Sequence, residues 1–250
     1  KAGAWGFAST GLPSFSEAMT NKTLRAALIG TGWYGKVDLF RLLQVAPIEV
    51  TSLCDVYRPR LEEAALLTAA RQVSRNTPAL YGDWRELLEK EELDLVLIAT
   101  PDHWHALPTI AAMEKGINVW VQKPIGVDVA ECRVMCEVAK RTGVVTQVGL
   151  QRRSTPHLVA VKKEFFDTGR LGKIVQVDIF CYYGSGDLKF DAQTPPDGFD
   201  YEMWTGPAPM RPYYPPKSNG GWRQFMEYGN GTLGDMGVHM FDMVRWLMGL

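Results

Sequence analysis

A short apolar run, Leu24–Ile29, opens into Gly30-Thr31-Gly32-Trp33-Tyr34-Gly35 and then into sequence with helical periodicity; about twenty residues later the next apolar run closes on Asp55. Strand, glycine turn, helix and acid in this register constrain the chain to a nucleotide-binding βαβ unit. Gly30 allows the tight turn out of the strand, Gly32 lets backbone N–H groups approach a diphosphate, and Gly35 lets the helix lie close to the strand. The diphosphate would rest on the positive end of the helix that starts near Trp33. Asp55, at the tip of IEVTSLCD, is placed to accept hydrogen bonds from adenosine ribose hydroxyls, which favours NAD, while Arg58 nearby keeps NADP open.

Beyond this unit, short apolar runs alternate with amphipathic stretches, the pattern of a parallel sheet with crossover helices. Strands are predicted at Leu24–Ile29, Ile48–Cys54, Ala79–Tyr81, Leu95–Ala99, Asn118–Val121 and Val144–Gly149, with helices at Trp33–Gln44, Pro59–Arg71, Trp84–Glu91, His105–Lys115 and Val129–Arg141. Residues 24–150 therefore read as a doubly wound Rossmann domain. From Gln151 the character changes: a predicted helix, Pro156–Asp167, precedes an alternating strand, KIVQVDIFCYY, and then a long stretch dense in Pro, Gly and aromatics, including Phe190, Phe199, Tyr201, Trp204, Tyr213, Tyr214 and Trp222. A segment of that composition can bury surface, and its rings suit the C–H faces of a sugar as well as plain packing on the sheet. A helix over about Thr232–Met248 follows.

The net charge of −1 with mixed signs supplies no basic stripe for a phosphate backbone, so nucleic acid is not an expected partner. No run is long and apolar enough for a membrane span. The four cysteines, Cys54, Cys132, Cys136 and Cys181, lack metal-ligand spacing and read as buried free thiols, with no metal expected. Residues 1–23, rich in Ala, Gly and Ser, read as the trailing part of an export signal cut near Ala18. If Lys1 closes a twin-arginine motif, the protein is periplasmic; otherwise the segment is a flexible extension of a cytoplasmic protein.

Three loops follow carboxyl ends of predicted parallel strands and so face one crevice: Thr100-Pro101-Asp102-His103-Trp104-His105, Val121-Gln122-Lys123-Pro124 and Gly149-Leu150-Gln151-Arg152-Arg153. Asp235 and His239, four apart on a predicted helix, share a face. Such a pair suits either a local surface hydrogen bond or an acid–base site, and a histidine with its ordinary pKa near 6.5 accepts a proton at neutral pH. His105 reads equally as a cofactor neighbour or a helix cap, and His103 as structural.

The GTGWYG turn, the TPDHWH loop, the Lys123-Pro124 dipeptide, Trp204-Thr205-Gly206-Pro207-Ala208-Pro209 and Gly234–Asp242 (GDMGVHMFD) together resemble the Gfo/Idh/MocA family of sugar and cyclitol oxidoreductases, over Leu24–Leu250. The family usually carries Glu-Lys-Pro where this chain has Gln122-Lys123-Pro124, often with a cis Lys-Pro bond. The resemblance implies a second, α+β domain over 151–250 built on an open, mostly antiparallel sheet; a single clear strand there implies a chain truncated after Leu250 that self-associates through the sheet. It implies NAD(P)-dependent oxidation of a secondary hydroxyl on a sugar, glycoside or cyclitol, in an exported family member. The expected catalytic residues are Lys123, on the reacting oxygen, with Asp235 and His239. The cofactor set is Gly30, Thr31, Gly32, Trp33, Tyr34, Gly35, Asp55, Thr100, Pro101, His105, Lys123 and Gln151; the substrate set is Lys123, Arg152, Trp222, Arg223, Asp235 and His239. A glycosidase that oxidises C3, eliminates across C2 and re-reduces is the alternative; a sugar sensor without turnover is a third reading, disfavoured by the presence of Lys123, Asp235 and His239.

Overall fold

A computed structural model describes residues 22–181, 191–215 and 221–250. Nearly all of the signal-like segment 1–23, the end of the KIVQVDIFCYY run and Phe190 lie outside the described residues. Six parallel strands, β1 (Leu24–Ile29), β2 (Ile48–Cys54), β3 (Ala79–Tyr81), β4 (Leu95–Ile98), β5 (Asn118–Val121) and β6 (Thr146–Val148), form one sheet in the order β3-β2-β1-β4-β5-β6. The order reverses between β1 and β4, so their carboxyl ends open a crevice. Helices α1 (Trp33–Val45), α2 (Arg58–Ala69), α3 (Trp84–Lys90), α4 (Ala106–Glu114) and α5 (Val129–Thr142) make the crossovers.

Strand residues alternate between two cores because successive side chains leave a strand on opposite faces. Leu28 and Leu97 pack with Leu39 of α1 and Leu61 of α2, whereas Ile29, Val96 and Ile98 pack with Leu87 of α3, Met113 of α4 and Met135 of α5. Burial on both faces explains the unbroken apolar runs. Local signals set the helix ends. Asp128 accepts a hydrogen bond from the Glu131 N–H, Lys140 and Arg141 occupy the last turn of α5, and Gly143 terminates it at φ +70°.

The second segment departs from expectation. Its first helix forms as α6 (Pro156–Val161) and continues through a π turn, Lys162–Phe166. The expected strand does not: Lys173–Cys181 joins no ladder, no strand is found among the described residues after β6, and Val175 is 85% exposed. Extended backbone needs a neighbouring strand for its N–H and C=O groups, and alternation alone supplies none. The aromatic stretch instead docks on the first unit. The Arg58 N–H donates to the Gly198 carbonyl and the Asp200 N–H to Val56, each at 2.9 Å, around an isolated antiparallel bridge between Tyr57 and Phe199. A short helix, α7 (Tyr201–Thr205), is capped by Asp200; the chain then passes through a π turn, Leu233–Gly237, into α8 (Val238–Met248). The cysteines carry free thiols, but only Cys54 is buried; Cys136 and Cys181 are exposed, since neither α5's outer face nor the unpaired segment is covered.

The two-core sheet makes a stability prediction. Leu28→Ala should lower unfolding free energy by about 2–5 kcal/mol, the usual cost of a core cavity, whereas Val175→Ala should stay within about 0.5 kcal/mol of the parent in urea unfolding.

Candidate active site

The glycine turn is built as a cradle. Gly30 adopts φ +94°, and a Cβ there would lie 2.7 Å from the Ala99 carbonyl; at Gly35 it would lie 2.1 Å from the Gly30 oxygen. Both positions exclude a side chain because backbone meets backbone. At Gly32 a Cβ would meet nothing within 4 Å. Glycine there is not demanded by protein packing, and the position suits a close ligand at the start of α1, whose first turn has no side-chain cap. Gly30, Gly32, Trp33, Tyr34 and Asp55 line a cavity of about 680 Å³. Asp55 is braced by the glycine turn and by its own loop, accepting from Thr31 N–H (2.8 Å) and hydroxyl (2.9 Å) on one oxygen and from Tyr57 N–H (2.9 Å) on the other. Thr31 is fully buried and serves to orient Asp55 rather than lining the cavity, and Gly35 likewise packs behind it. Arg58 turns away to Glu62 at 2.7 Å, while Arg60 lines the wall. These residues fit a dinucleotide.

The same cavity runs past Thr100, Pro101, His105, Lys123 and Gln151 to Trp222, Arg223, Asp235 and His239. Lys123 follows β5, and its bond to Pro124 is cis. Its ammonium donates to the Asp235 carboxylate at 2.5 Å and to the Asp235 carbonyl at 2.9 Å, joining the sheet to the π turn before α8. Gln122 holds the base of that lysine: its oxygen accepts from the Lys123 N–H at 2.9 Å, and its amide donates to Asp38 of α1 at 2.8 Å. Burial raises the Asp38 carboxyl to about 6, against the pull of the Gln122 hydrogen bond.

Burial would lift the Asp235 carboxyl, but the Lys123 hydrogen bond and the Arg223 and Lys123 charges outweigh it and hold it below its usual range. His239 is 4% exposed, and its Nδ1 has no hydrogen-bond partner among the described residues. Burial, reinforced by the Lys123 and Arg152 charges, lowers this imidazole to about 4, well under the ordinary value that sequence alone suggested. Arg223 lies over the Trp222 ring at 4.1 Å, with its Nε 3.3 Å from Asp235 and its Nη2 3.8 Å from Asp102.

Other expected residues take roles different from those expected, or lie off the cavity. Arg152 does not line the cavity; its guanidinium meets the Met240 sulfur at 3.6 Å, because Arg153, its neighbour, pins the loop to α8 through Asp242 at 2.6–3.1 Å. His105 is not a side-chain cap. It is buried, with Nδ1 2.5 Å from the Pro124 carbonyl and Nε2 2.8 Å from the Thr100 carbonyl, and so clamps the two crevice loops together. Burial lowers its ring to about 4, so the neutral ring has a single N–H and, depending on the tautomer, donates it to one of those two carbonyls at a time. His103 is structural, held 2.9 Å from the Trp204 carbonyl. Phe199, Tyr201, Trp204, Tyr213 and Tyr228 interlock through edge and stacked contacts, forming the cavity's aromatic wall. Sequence reasoning missed Asp102: it is 1% exposed, and burial raises its carboxyl to about 7 against the Arg223 and Lys123 charges. An acid inside an otherwise aromatic and histidine-rich loop was the available signal. Among the described residues no group of three or more His, Cys, Asp or Glu could hold a metal ion, and no helix is long and apolar enough to cross a membrane.

The profile described as "Oxidoreductase family, NAD-binding Rossmann fold" matches residues 24–150, and its companion, "Oxidoreductase family, C-terminal alpha/beta domain", matches residues 164–250. Levoglucosan dehydrogenase of Pseudarthrobacter phenanthrenivorans is 28% identical over 91% of this chain and 52% of its own length. A glycosyl hydrolase family 109 protein of Stenotrophomonas maltophilia is 28% identical over 80% of this chain and 45% of its own. The chain thus spans about half the length of these curated relatives. The crystal structure of myo-inositol 2-dehydrogenase from Lactobacillus plantarum shares the fold, with a TM-score of 0.62 at 24% identity over 91% of this chain and 57% of that one.

Asp102 gives a pH prediction with a definite sign. Its folded pKa of about 7 stands above the ordinary carboxyl value of 3.8, so the folded state keeps a proton that the unfolded state releases, and stability falls as pH rises from about 4 to about 7. Asp102→Asn removes that loss. In urea unfolding the variant should gain on the parent across this window, by at most about 4 kcal/mol, and the difference should level off above pH 8.

Proposed function

Because the chain belongs to the Gfo/Idh/MocA oxidoreductase family, we propose that it is an NAD(P)-dependent oxidoreductase acting on a secondary hydroxyl of a sugar, glycoside or cyclitol. One observation carries this reading: Lys123 from the sheet and His239 from α8 line the same cavity as the glycine turn, with Asp235 tied to the lysine. The glycine turn and Asp55 would hold the dinucleotide, which when bound supplies the acceptor for the substrate's hydride. Oxidation of a carbinol requires its hydroxyl proton to leave as the C–H electrons depart, so a base must reach that oxygen. The buried, neutral His239 ring has a lone pair for that proton. The Lys123 ammonium, aimed by Asp235, donates to the same oxygen and stabilises the developing alkoxide. The aromatic wall suits the C–H faces of a ring substrate.

The signal-like composition of residues 1–23 supports an exported, periplasmic member, and the exposed Val175 and Val177 support self-association through the second segment. The similarity to a glycosyl hydrolase family 109 protein favours one second reading, a glycosidase working by transient oxidation.

A nicotinamide absorbance screen against hexoses, cyclitols and glycosides, run beside a chromogenic glycosidase assay, separates them. Net reduction of NAD with a polyol is expected; aryl-glycoside cleavage with no net reduction would establish the second reading, and silence in both would overturn the proposal. Lys123→Met and His239→Ala should each lower kcat by about 10²–10⁴, the range for lost proton transfer, while leaving cofactor affinity nearly unchanged. The pH profile of the base follows from the ring at about 4: protonation removes the base, so the loss of kcat/KM due to His239 should come only as pH drops through about 4, a limb best read in Asp102→Asn, where the carboxyl that titrates near 7 is absent. An acid limb centred near 6.5 that persists in Asp102→Asn would contradict the assignment of His239.

A further inference from the structure

Asp102 sits on the loop after β4, behind the cavity wall and outside its lining, with both carboxylate oxygens buried and without a hydrogen-bond partner among the described residues. Buried polar groups are normally satisfied, so such a carboxyl calls for a reason. Local structure supplies none. Asp102 stands in the first turn of a short 3-10 segment, Asp102–Trp104, yet its side chain caps no N–H there. What it meets is Arg223, whose Nη2 is 3.8 Å away. Arg223 in turn lies 3.3 Å from the same Asp235 oxygen that takes the Lys123 ammonium at 2.5 Å. With the Asp102 carboxyl ionised, above about pH 7, charge alternates along this line: Asp102, Arg223, Asp235, Lys123. Its two ends belong to loops of the parallel sheet and its middle pair to the second segment.

We infer that Asp102 is a positioning residue, which anchors Arg223 from behind so that Arg223 braces Asp235 and, through it, the Lys123 ammonium. The space for the carboxyl is kept by glycine, since a Cβ at Gly229 would come 3.2 Å from an Asp102 oxygen. The other titratable groups around it are committed elsewhere: His103 to the Trp204 carbonyl and His105 to the two crevice loops. A purely structural carboxyl would make itself felt in stability alone. A positioning one acts on the lysine. Among the described residues the ion pairs of Arg223 are with Asp102 on the sheet side and with Asp235 itself.

The inference rests on the proposed oxidoreductase reading for its effect on turnover, but its geometric part is measurable without any substrate. Asp102→Asn, Arg223→Met and the double variant are compared by three readouts: NAD affinity by fluorescence, kcat with whichever polyol the screen identifies, and the rate of reductive methylation of the Lys123 amine with formaldehyde and cyanoborohydride, followed by peptide mass spectrometry. Asp102→Asn should lower kcat by about tenfold or more, as expected for a misplaced catalytic group, with NAD affinity unchanged within about threefold. Lys123 methylation should rise by at least about threefold, and the double variant should be no worse than Arg223→Met alone, because the two residues act in series. Parent-level kcat and methylation in Asp102→Asn, or penalties that multiply in the double variant, would overturn the inference. If Asp102→Asn does not fold, Arg223→Met decides through methylation alone: a parent rate refutes the brace. If the parent reduces no NAD with any polyol, the oxidoreductase reading falls while methylation still judges the brace.

Discussion

The ammonium of Lys123 on the carboxylate and carbonyl of Asp235 is the contact on which the site depends, for it joins a loop of the parallel sheet to the π turn that leads into α8. Its value is not mainly stability. A half-buried pair regains little more than its desolvation cost, although removing one partner alone strands the other charge. What it fixes is direction: the lysine side chain is only about a tenth exposed, it leaves the sheet at a cis peptide, and it is pointed across the crevice toward the second segment. The shift from α to π geometry at Leu233–Gly237 accompanies this contact, and π turns recur at functional positions.

Electrostatics divides the cavity into two unlike ends. At the glycine turn the protein offers uncapped N–H groups and a braced acid, a setting for a diphosphate and a diol. At the other end two cations, Lys123 and Arg223, converge on one carboxylate, and a third, Arg152, reaches His239 through space. Burial first, and then the Lys123 and Arg152 charges against the opposing pull of Asp235 and Asp242, leave the imidazole neutral. A neutral ring beside a fixed ammonium is one acceptor and one donor for a single hydroxyl, with no need for either group to change state first.

Much of this was legible in the chain. The six strands and five crossover helices follow from apolar runs buried on both faces and from caps such as Asp128 and Gly143, all of which are local signals. The glycine turn carried its own geometry, and Lys123, Asp235 and His239 do line one cavity. What was not legible depends on partners distant in sequence. Alternation in Lys173–Cys181 describes a strand only if a neighbour pairs with it, and none does among the described residues. Thr31 and Gly35 belong to the motif but work behind it, since the tight turn aims one at Asp55 and packs the other on Gly30. Arg152 was drawn out of the cavity by the Arg153–Asp242 pair next to it. The lowered ring of His239 and the buried acid of Asp102 both arise from desolvation by elements that sequence spacing does not bring together.

The central claim is geometric: an ammonium and an imidazole from two parts of the chain meet at one hydroxyl beside the dinucleotide. A crystal structure of the ternary complex with NAD and a polyol that the protein oxidises tests it most directly. The account predicts a single substrate oxygen within hydrogen-bond distance, about 2.6–3.2 Å, of both Lys123 Nζ and His239, with its carbon about 3–3.5 Å from the nicotinamide ring. A polyol whose reacting oxygen touches neither residue, or whose carbon lies beyond reach of the ring while the protein still turns over, would contradict it.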